Sequence, residues 1–212
     1  MKIERPASSR PVSLPVRRPR SDGQANKALI LKVAKSAFTQ SGARTSLDDI
    51  AKTAGVGAGT LYRHFPTREA LLEAVYSSEV DGLAASAEQF CRDLSPIDAL
   101  RTWLLLFIDH LATKKIIAEA LHNLVQSNEM FEAHKSKVQT ASKLIYDRAV
   151  KSGDIRADIN PLDHLRAILG VIYFTSTDDW KDSAERLVDI LIQGSSPTIL
   201  SGKGPSTAAL RE

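Results

Sequence analysis

Residues 46–65 of the chain have the sequence SLDDIAKTAGVGAGTLYRHF, in which two short helical patterns are separated by a glycine-containing turn. The first pattern follows Ser46, a residue type that caps helices, and has acidic residues in its first turn, where the helix dipole favours negative charge. Ala51 is a small residue where two crossing helices would touch, and Gly55 tolerates the backbone angles of a sharp turn. This spacing predicts a helix-turn-helix, although two helices packed in any bundle can share it.

The segments on either side extend this motif into a small domain. Apolar residues with helical period predict a helix from about residue 22 to Ser41, and Thr67 begins a long helix toward Leu94. We therefore expect a three-helix DNA-binding head over residues 23–70.

The remaining sequence predicts helices at about residues 96–113, 116–124, 130–151, 161–174 and 184–193, without strand-like alternation. The expected fold is all-α, with the head followed by a C-terminal helical bundle for ligand binding and dimerisation over residues 71–194. Residues 1–22 are rich in Pro and Arg and predict a disordered basic arm, while residues 195–212 predict a flexible tail.

Charge is distributed unevenly along the chain. Residues 1–68 hold 13 Lys and Arg against 4 Asp and Glu, whereas residues 69–212 hold 15 against 21. A basic first third makes nucleic acid the first candidate partner, although it also suits a solubilising tail. The arginines of the arm can contact a minor groove, as such arms do in other DNA-binding folds, or take no part in binding.

The composition excludes several protein classes. The chain has 212 residues, 43% of them hydrophobic, which is enough to bury a core. The longest apolar run, residues 103–108, is too short to span a membrane, and the N-terminus has no signal-type apolar core. Cys91 is the single cysteine, so an internal disulfide framework is impossible. We expect a cytoplasmic, nucleoid-associated protein without a membrane partner.

Four segments resemble the DNA-binding domain of TetR-family regulators: TSLDDIA at 45–51, AGV at 54–56, GTLYRHF at 59–65 and TREAL at 67–71. The resemblance is close over residues 24–75 and elsewhere extends only to length and helical content. It implies an Ω-shaped homodimer with two DNA-binding heads and a ligand-responsive helical body. It further implies repression of transcription from a palindromic operator on double-stranded DNA, relieved when a small-molecule effector binds.

The resemblance also suggests which residues contact DNA. It places Thr45 or Ser46 near the phosphates at the start of the first motif helix, and Thr60, Tyr62 and His64 of the second helix on the DNA backbone or groove wall. That second helix carries no acidic residue, so its side chains can donate to phosphates and base edges without like-charge repulsion.

Two positions depart from the common family pattern. Gly57 and Ala58 stand where the family usually has Ser and Lys, so a helix cap and a phosphate-reaching ammonium are absent. The small residues let the helix approach the bases closely but form few hydrogen bonds. Base specificity is therefore expected to depend on Arg44, Thr60, Arg63 and DNA shape.

The apolar run at residues 103–108 has no polar face, which predicts a central helix and a wall of the ligand cavity. Pockets combine apolar walls with a few polar or aromatic groups, and these candidates also suit an ordinary core or surface. The predicted lining residues are Trp103, Phe107, His110, His122, Phe131 and Tyr173, and His134 and Tyr146 lie on neighbouring helices.

The last two predicted helices carry apolar stripes that suit a four-helix dimer interface, and Gly170 permits a close helix approach. The alternative is burial of these stripes within one subunit. The predicted interface residues are Leu165, Ile168, Leu169, Ile172, Leu187, Ile190 and Leu191.

An enzyme is the competing class, but the sequence has no glycine-rich phosphate loop, no zinc-protease spacing and no nucleophile elbow. We therefore expect no catalytic residue, metal site or cofactor. A helical adaptor without DNA or ligand is a third possibility, and it leaves the basic head and its turn unexplained.

Overall fold

The computed structural model describes residues 19–42, 45–121, 128–174 and 179–197. Within these ranges the chain forms eight helices and no strand, which confirms the predicted all-α fold. The helices are α1 (Pro19–Ser41), α2 (Leu47–Thr53), α3 (Ala58–His64), α4 (Arg68–Asp93), α5 (Pro96–Leu121), α6 (Asn128–Lys151), α7 (Pro161–Phe174) and α8 (Trp180–Gly194).

The helix bounds differ from the expected ones at several places. Residues 96–121 form the single helix α5 and not two helices, because the polar pair at residues 114–115 brings neither Gly nor Pro to break the backbone. The first helix begins at Pro19, where a proline suits the first turn, and α8 begins four residues before the expected start. The basic arm before residue 19 and the tail after residue 197 lie outside the described residues.

The head is built from α1, α2, α3 and the first half of α4. Its core contains Phe38 of α1, Ile50 of α2 and Leu61 of α3, and it continues along α4 as far as Val80. The expected domain boundary at residue 70 therefore lies inside α4, because three further turns of this helix bury their apolar side chains in the head.

The body packs α5 to α8 against the second half of α4, where Leu83 and Ala87 enter its core. Helix α5 is central, as expected: Trp103 is fully buried, and its Nε1 donates to the carbonyl of Leu83 at 2.9 Å. Within the described ranges, no helix is long and apolar enough to cross a membrane. One continuous helix, α4, thus belongs to both cores.

Candidate functional site

The turn between α2 and α3 has the geometry that its sequence predicts. Gly55 has a φ of +67°, in the left-handed region that favours glycine. The Val56 amide donates to the Ala51 carbonyl at 3.0 Å and the Gly55 amide to the Lys52 carbonyl at 3.1 Å, the hydrogen-bond pair of a Schellman helix end. The buried Ala51 allows α3 to pack closely across α2.

The start of α2 is held by two adjacent hydroxyl residues with different partners. Ser46 is the N-cap, and its Oγ accepts from the Asp49 amide at 3.5 Å. Thr45 Oγ1 donates toward the carbonyls of Gly42 at 2.8 Å and Ala37 at 3.2 Å. Arg68 at the start of α4 donates to the Thr45 carbonyl at 2.6 Å. The Thr45 hydroxyl thus already fastens α2 to the end of α1.

Helix α3 presents its outer face to solvent. Tyr62 is 44% exposed and Arg63 is also exposed, whereas Leu61 is buried in the head core. Thr60 and His64 are half-buried, and the His64 ring lies 6.2 Å from that of Phe65. The exposed groups are able to donate hydrogen bonds to an anionic surface.

The N-terminus of α3 lacks a side-chain cap. Gly57 occupies the N-cap position with φ −67° and ψ 146°, and no side chain bonds there. A side chain added at Gly57 or Gly59 would meet no atom within 4 Å. The tip of α3 is therefore open, without a side chain that caps its first amides. Arg44, the remaining predicted DNA contact, lies outside the described residues.

A second candidate site is a cavity of about 430 Å³ in the body, beside the head. It lies between α4, α5, α6 and α7, and its wall combines apolar, aromatic and charged side chains. The lining residues are Tyr76, Phe107, His110, Leu111, Glu132, His134, Lys135, Val138, Gln139, Leu162, Leu165, Arg166 and Leu169.

A row of neighbouring rings begins at the buried end of the cavity. The Tyr76 ring stacks on His110 with centroids 5.5 Å apart and meets the edge of His134 at 5.0 Å. His110 in turn stacks on Phe107 at 6.4 Å, which stacks on Trp103 at 6.0 Å. This row of rings connects α4 with the centre of α5.

His134 also bonds to the helix that leaves the head. Its Nε2 lies 3.2 Å from the Ser77 hydroxyl, and its Nδ1 is buried without a hydrogen-bond partner in the described part of the chain. Burial lowers the pKa of His134, an effect that nearby Lys137 reinforces and Asp81 opposes. Burial also raises the pKa of Tyr76. Both pKa shifts favour the uncharged forms of His134 and Tyr76 at this end of the cavity.

The structure places the predicted lining residues at different distances from this cavity. Phe107 and His110 line the cavity, whereas Trp103 lies behind Phe107 and does not reach it. His122 and the side chains of Phe131 and Tyr173 lie outside the described residues. Tyr76 was missed, because a helix that begins in the head gave no sequence signal that it also borders the body.

The predicted interface residues fall into groups with different surroundings. Ile168 is fully buried in the body core, so a protomer of this shape cannot present it to a partner. Leu165 and Leu169 line the cavity, and the side chain of Ile172 lies outside the described residues. On α8, Leu187 and Leu191 are half-buried and Ile190 is 63% exposed. Leu165 and Ile168 of the α7 stripe are therefore buried within one subunit, and α8 keeps an apolar residue at the surface.

The described residues contain no group of three or more His, Cys, Asp or Glu placed to hold a metal ion.

Two family models match the chain, one over the head and one over the body. Residues 30–75 match the model for bacterial regulatory proteins of the tetR family, and residues 95–197 match the C-terminal domain of SbtR-like transcriptional regulators.

Curated relatives and solved structures are similar to the chain. Two relatives from Pseudomonas putida, the probable HTH-type transcriptional regulator ArpR and the HTH-type transcriptional regulator TtgR, are each 33% identical over 129 residues. These alignments cover 58% of this chain and 61% of each relative. The crystal structure of the TetR transcriptional regulator SCO0520 from Streptomyces coelicolor is 39% identical, with a TM-score of 0.73, covering 81% of this chain and 99% of that one. A TetR regulatory protein from Mycobacterium vanbaalenii is 27% identical with a TM-score of 0.70, covering 84% and 99%.

Proposed function

Because the chain belongs to the TetR family of DNA-binding transcriptional regulators, we propose that it is a homodimeric repressor whose operator complex dissociates when a small molecule occupies the body cavity. The observation that carries this proposal is the position of Tyr76, which is buried in the head core and also lines the cavity. A ligand that displaces this ring acts directly on the helix that follows the recognition helix.

The proposed DNA contacts are on α3 and at the start of α2. Tyr62 and Arg63 project into solvent from a helix without acidic residues, and the open tip at Gly57 and Ala58 allows close approach to bases. Ser46, Thr60 and His64 complete the proposed set, with Arg44 beside it in sequence. We also place Thr45 next to the phosphates, but its hydroxyl bonds to carbonyls of the protein and not to DNA.

The proposed dimer follows from the length of the recognition helix. Helix α3 has seven residues and contacts too few base pairs to select one operator alone, so a two-fold protein on a pseudo-palindromic site is required. We place the interface on the outer face of α8 around Ile190, because the described part of the protomer leaves 63% of this apolar residue exposed. Such a regulator acts on the chromosome in the cytoplasm.

The test measures DNA affinity at a series of salt concentrations. Fluorescence anisotropy with duplexes from the intergenic DNA upstream of the gene should find one pseudo-palindromic site. The logarithm of the affinity should fall linearly with the logarithm of salt concentration, with a slope for roughly 6 to 10 neutralised phosphates. Salt-independent binding would disprove the proposal, and so would equal affinity for a scrambled duplex of the same length.

A further inference from the structure

We propose that the effector is a hydrophobic monocarboxylate, with its hydrocarbon part in the cavity and its carboxylate bound by Lys135 and Arg166 at the rim. This inference rests on the proposed function, because it takes the cavity as the effector site. It adds the chemical class of the effector, which follows from how charge is arranged around the opening.

The buried part of the cavity suits a hydrocarbon group. Its walls are aliphatic and aromatic side chains, and the rings of Tyr76, His110 and His134 at its buried end are at most 6% exposed. Desolvation opposes a charge on His134 and on Tyr76. A charged ligand group placed there would lose its hydration without gaining a fully charged partner. The apolar wall consists of Phe107, Leu111, Val138, Leu162, Leu165 and Leu169.

The charged lining residues are at the solvent side. Lys135 and Glu132 belong to α6 and Arg166 to α7, and their side chains are mostly exposed. Two cations from different helices thus border the opening with one carboxylate, so the charged lining residues that the structure describes sum to a net positive charge. A ligand carboxylate at this position remains partly hydrated while it gains two opposite charges.

The present partners of the two cations are easily exchanged. Lys135 Nζ lies 3.1 Å from Glu132 Oε2, and Arg166 Nη1 lies 2.8 Å from Asp163 Oδ1. In each pair the two residues are one turn apart on the same helix. Exposed pairs of this kind contribute little to stability, so a ligand carboxylate can replace them at small cost. Among the described lining residues, Glu132 is the one carboxylate that repels an anion, so its removal should have the opposite effect on binding.

The experiment compares three ligands of equal chain length, octanoate, octanamide and octylamine, by isothermal titration calorimetry with the full-length dimer. We expect octanoate to bind most tightly and octylamine most weakly. Arg166→Gln should weaken octanoate binding by about twofold to fivefold, as expected for one mostly exposed ion pair. Glu132→Gln should strengthen it by a similar factor, and neither substitution should change octanamide binding. Lys143→Gln on α6, an exposed lysine paired with Asp147 outside the cavity lining, is the matched control and should change nothing.

Several results would overturn the assignment of a monocarboxylate. These are tighter binding of octylamine than of octanoate, equal effects of Arg166→Gln on octanoate and octanamide, or no binding of octanoate. Each of them leaves the DNA-binding test unaffected. If octanoate binds with the expected charge dependence but the operator complex persists, the ligand class stands and the release mechanism fails.

Discussion

The Ser77 hydroxyl oxygen lies 3.2 Å from His134 Nε2 and joins the helix that leaves the DNA-binding head to a helix of the body. Ser77 follows Tyr76 on α4, and His134 contacts the Tyr76 ring edge-on. Beside the cavity, a hydrogen bond and a ring contact therefore both cross from head to body.

Removing this hydrogen bond should weaken the connection between the two parts. Ser77→Ala should lower the free energy of unfolding by about 1 kcal/mol, because His134 Nε2 loses its partner in a buried position. Urea denaturation measures the change, and Ser78→Ala, at the exposed neighbouring position, is the control. In a double-mutant cycle, Ser77→Ala should have a much smaller effect once His134 is replaced by Phe. Additive effects would show that the two side chains do not interact.

Tyr62 provides the most direct test of the recognition helix. Tyr62→Ala should weaken operator binding by about tenfold or more, because it removes a phosphate or groove contact without altering the head core. Fluorescence anisotropy measures the affinity, and circular dichroism should show unchanged helical content. Leu144→Ala is the matched control, since Leu144 is equally exposed but lies on α6 of the body. Unchanged affinity of Tyr62→Ala would mean that another surface contacts DNA.

The two glycines of the helix-turn-helix should respond differently to the same substitution. Gly55→Ala should cost about 1 to 2 kcal/mol, because φ at this position is +67° and a Cβ is unfavourable there. Gly59→Ala is the comparison: this residue lies inside α3 with open space around it, and the substitution should not lower stability, because Ala is the better helix former. Thermal unfolding of the two variants measures the difference. Equal unfolding temperatures would contradict the left-handed turn.

Ile190 should be required for the dimer. Ile190→Glu places a charge on the exposed apolar residue of α8, and burial of that charge between two protomers would oppose association. Light scattering should detect monomers, and operator affinity should fall with the loss of two-fold binding. Leu144→Glu, on α6, should remain dimeric. If Leu144→Glu dissociates the dimer and Ile190→Glu does not, the interface lies on the other face of the body.

A buried network in the body should make stability depend on pH. His164 contacts the Tyr146 hydroxyl through Nδ1, and its Nε2 lies 2.9 Å from Ser195 Oγ, which donates to the Leu191 carbonyl. Burial lowers the pKa of His164 to about 4 from 6.5. The unfolded chain therefore binds this proton at a higher pH than the folded chain does. The stabilisation is complete above pH 6.5 and decreases as the pH falls toward 4.

The non-titrating variant His164→Gln isolates this effect. Chemical denaturation from pH 7 to pH 4 should show a shallower loss of stability in the variant than in the unmodified protein, because carboxylates elsewhere contribute equally to both. Parallel pH profiles would rule out His164 as the cause.

The helix-turn-helix is largely determined by its own sequence. A cap at Ser46, a small residue at Ala51 and a glycine at the turn each act within a few residues, so their geometry follows from local backbone chemistry. The uneven charge along the chain likewise needs no tertiary structure. The two helices predicted at 96–113 and 116–124 form the single helix α5 for an equally local reason, since no residue at 114–115 prevents helical hydrogen bonding.

Only the tertiary structure decides which apolar face meets which neighbour. Helical periodicity shows that the stripes of α7 and α8 are buried, but not whether a partner helix belongs to the same protomer. In the folded chain, Ile168 is buried inside the protomer, whereas Ile190 is mostly exposed. The cavity depends on the same long-range choice, because Tyr76, His134 and Leu165 come from three helices far apart in sequence. Side-chain packing between distant segments brings them together, and that packing places one wall of the cavity on the helix that also completes the DNA-binding head.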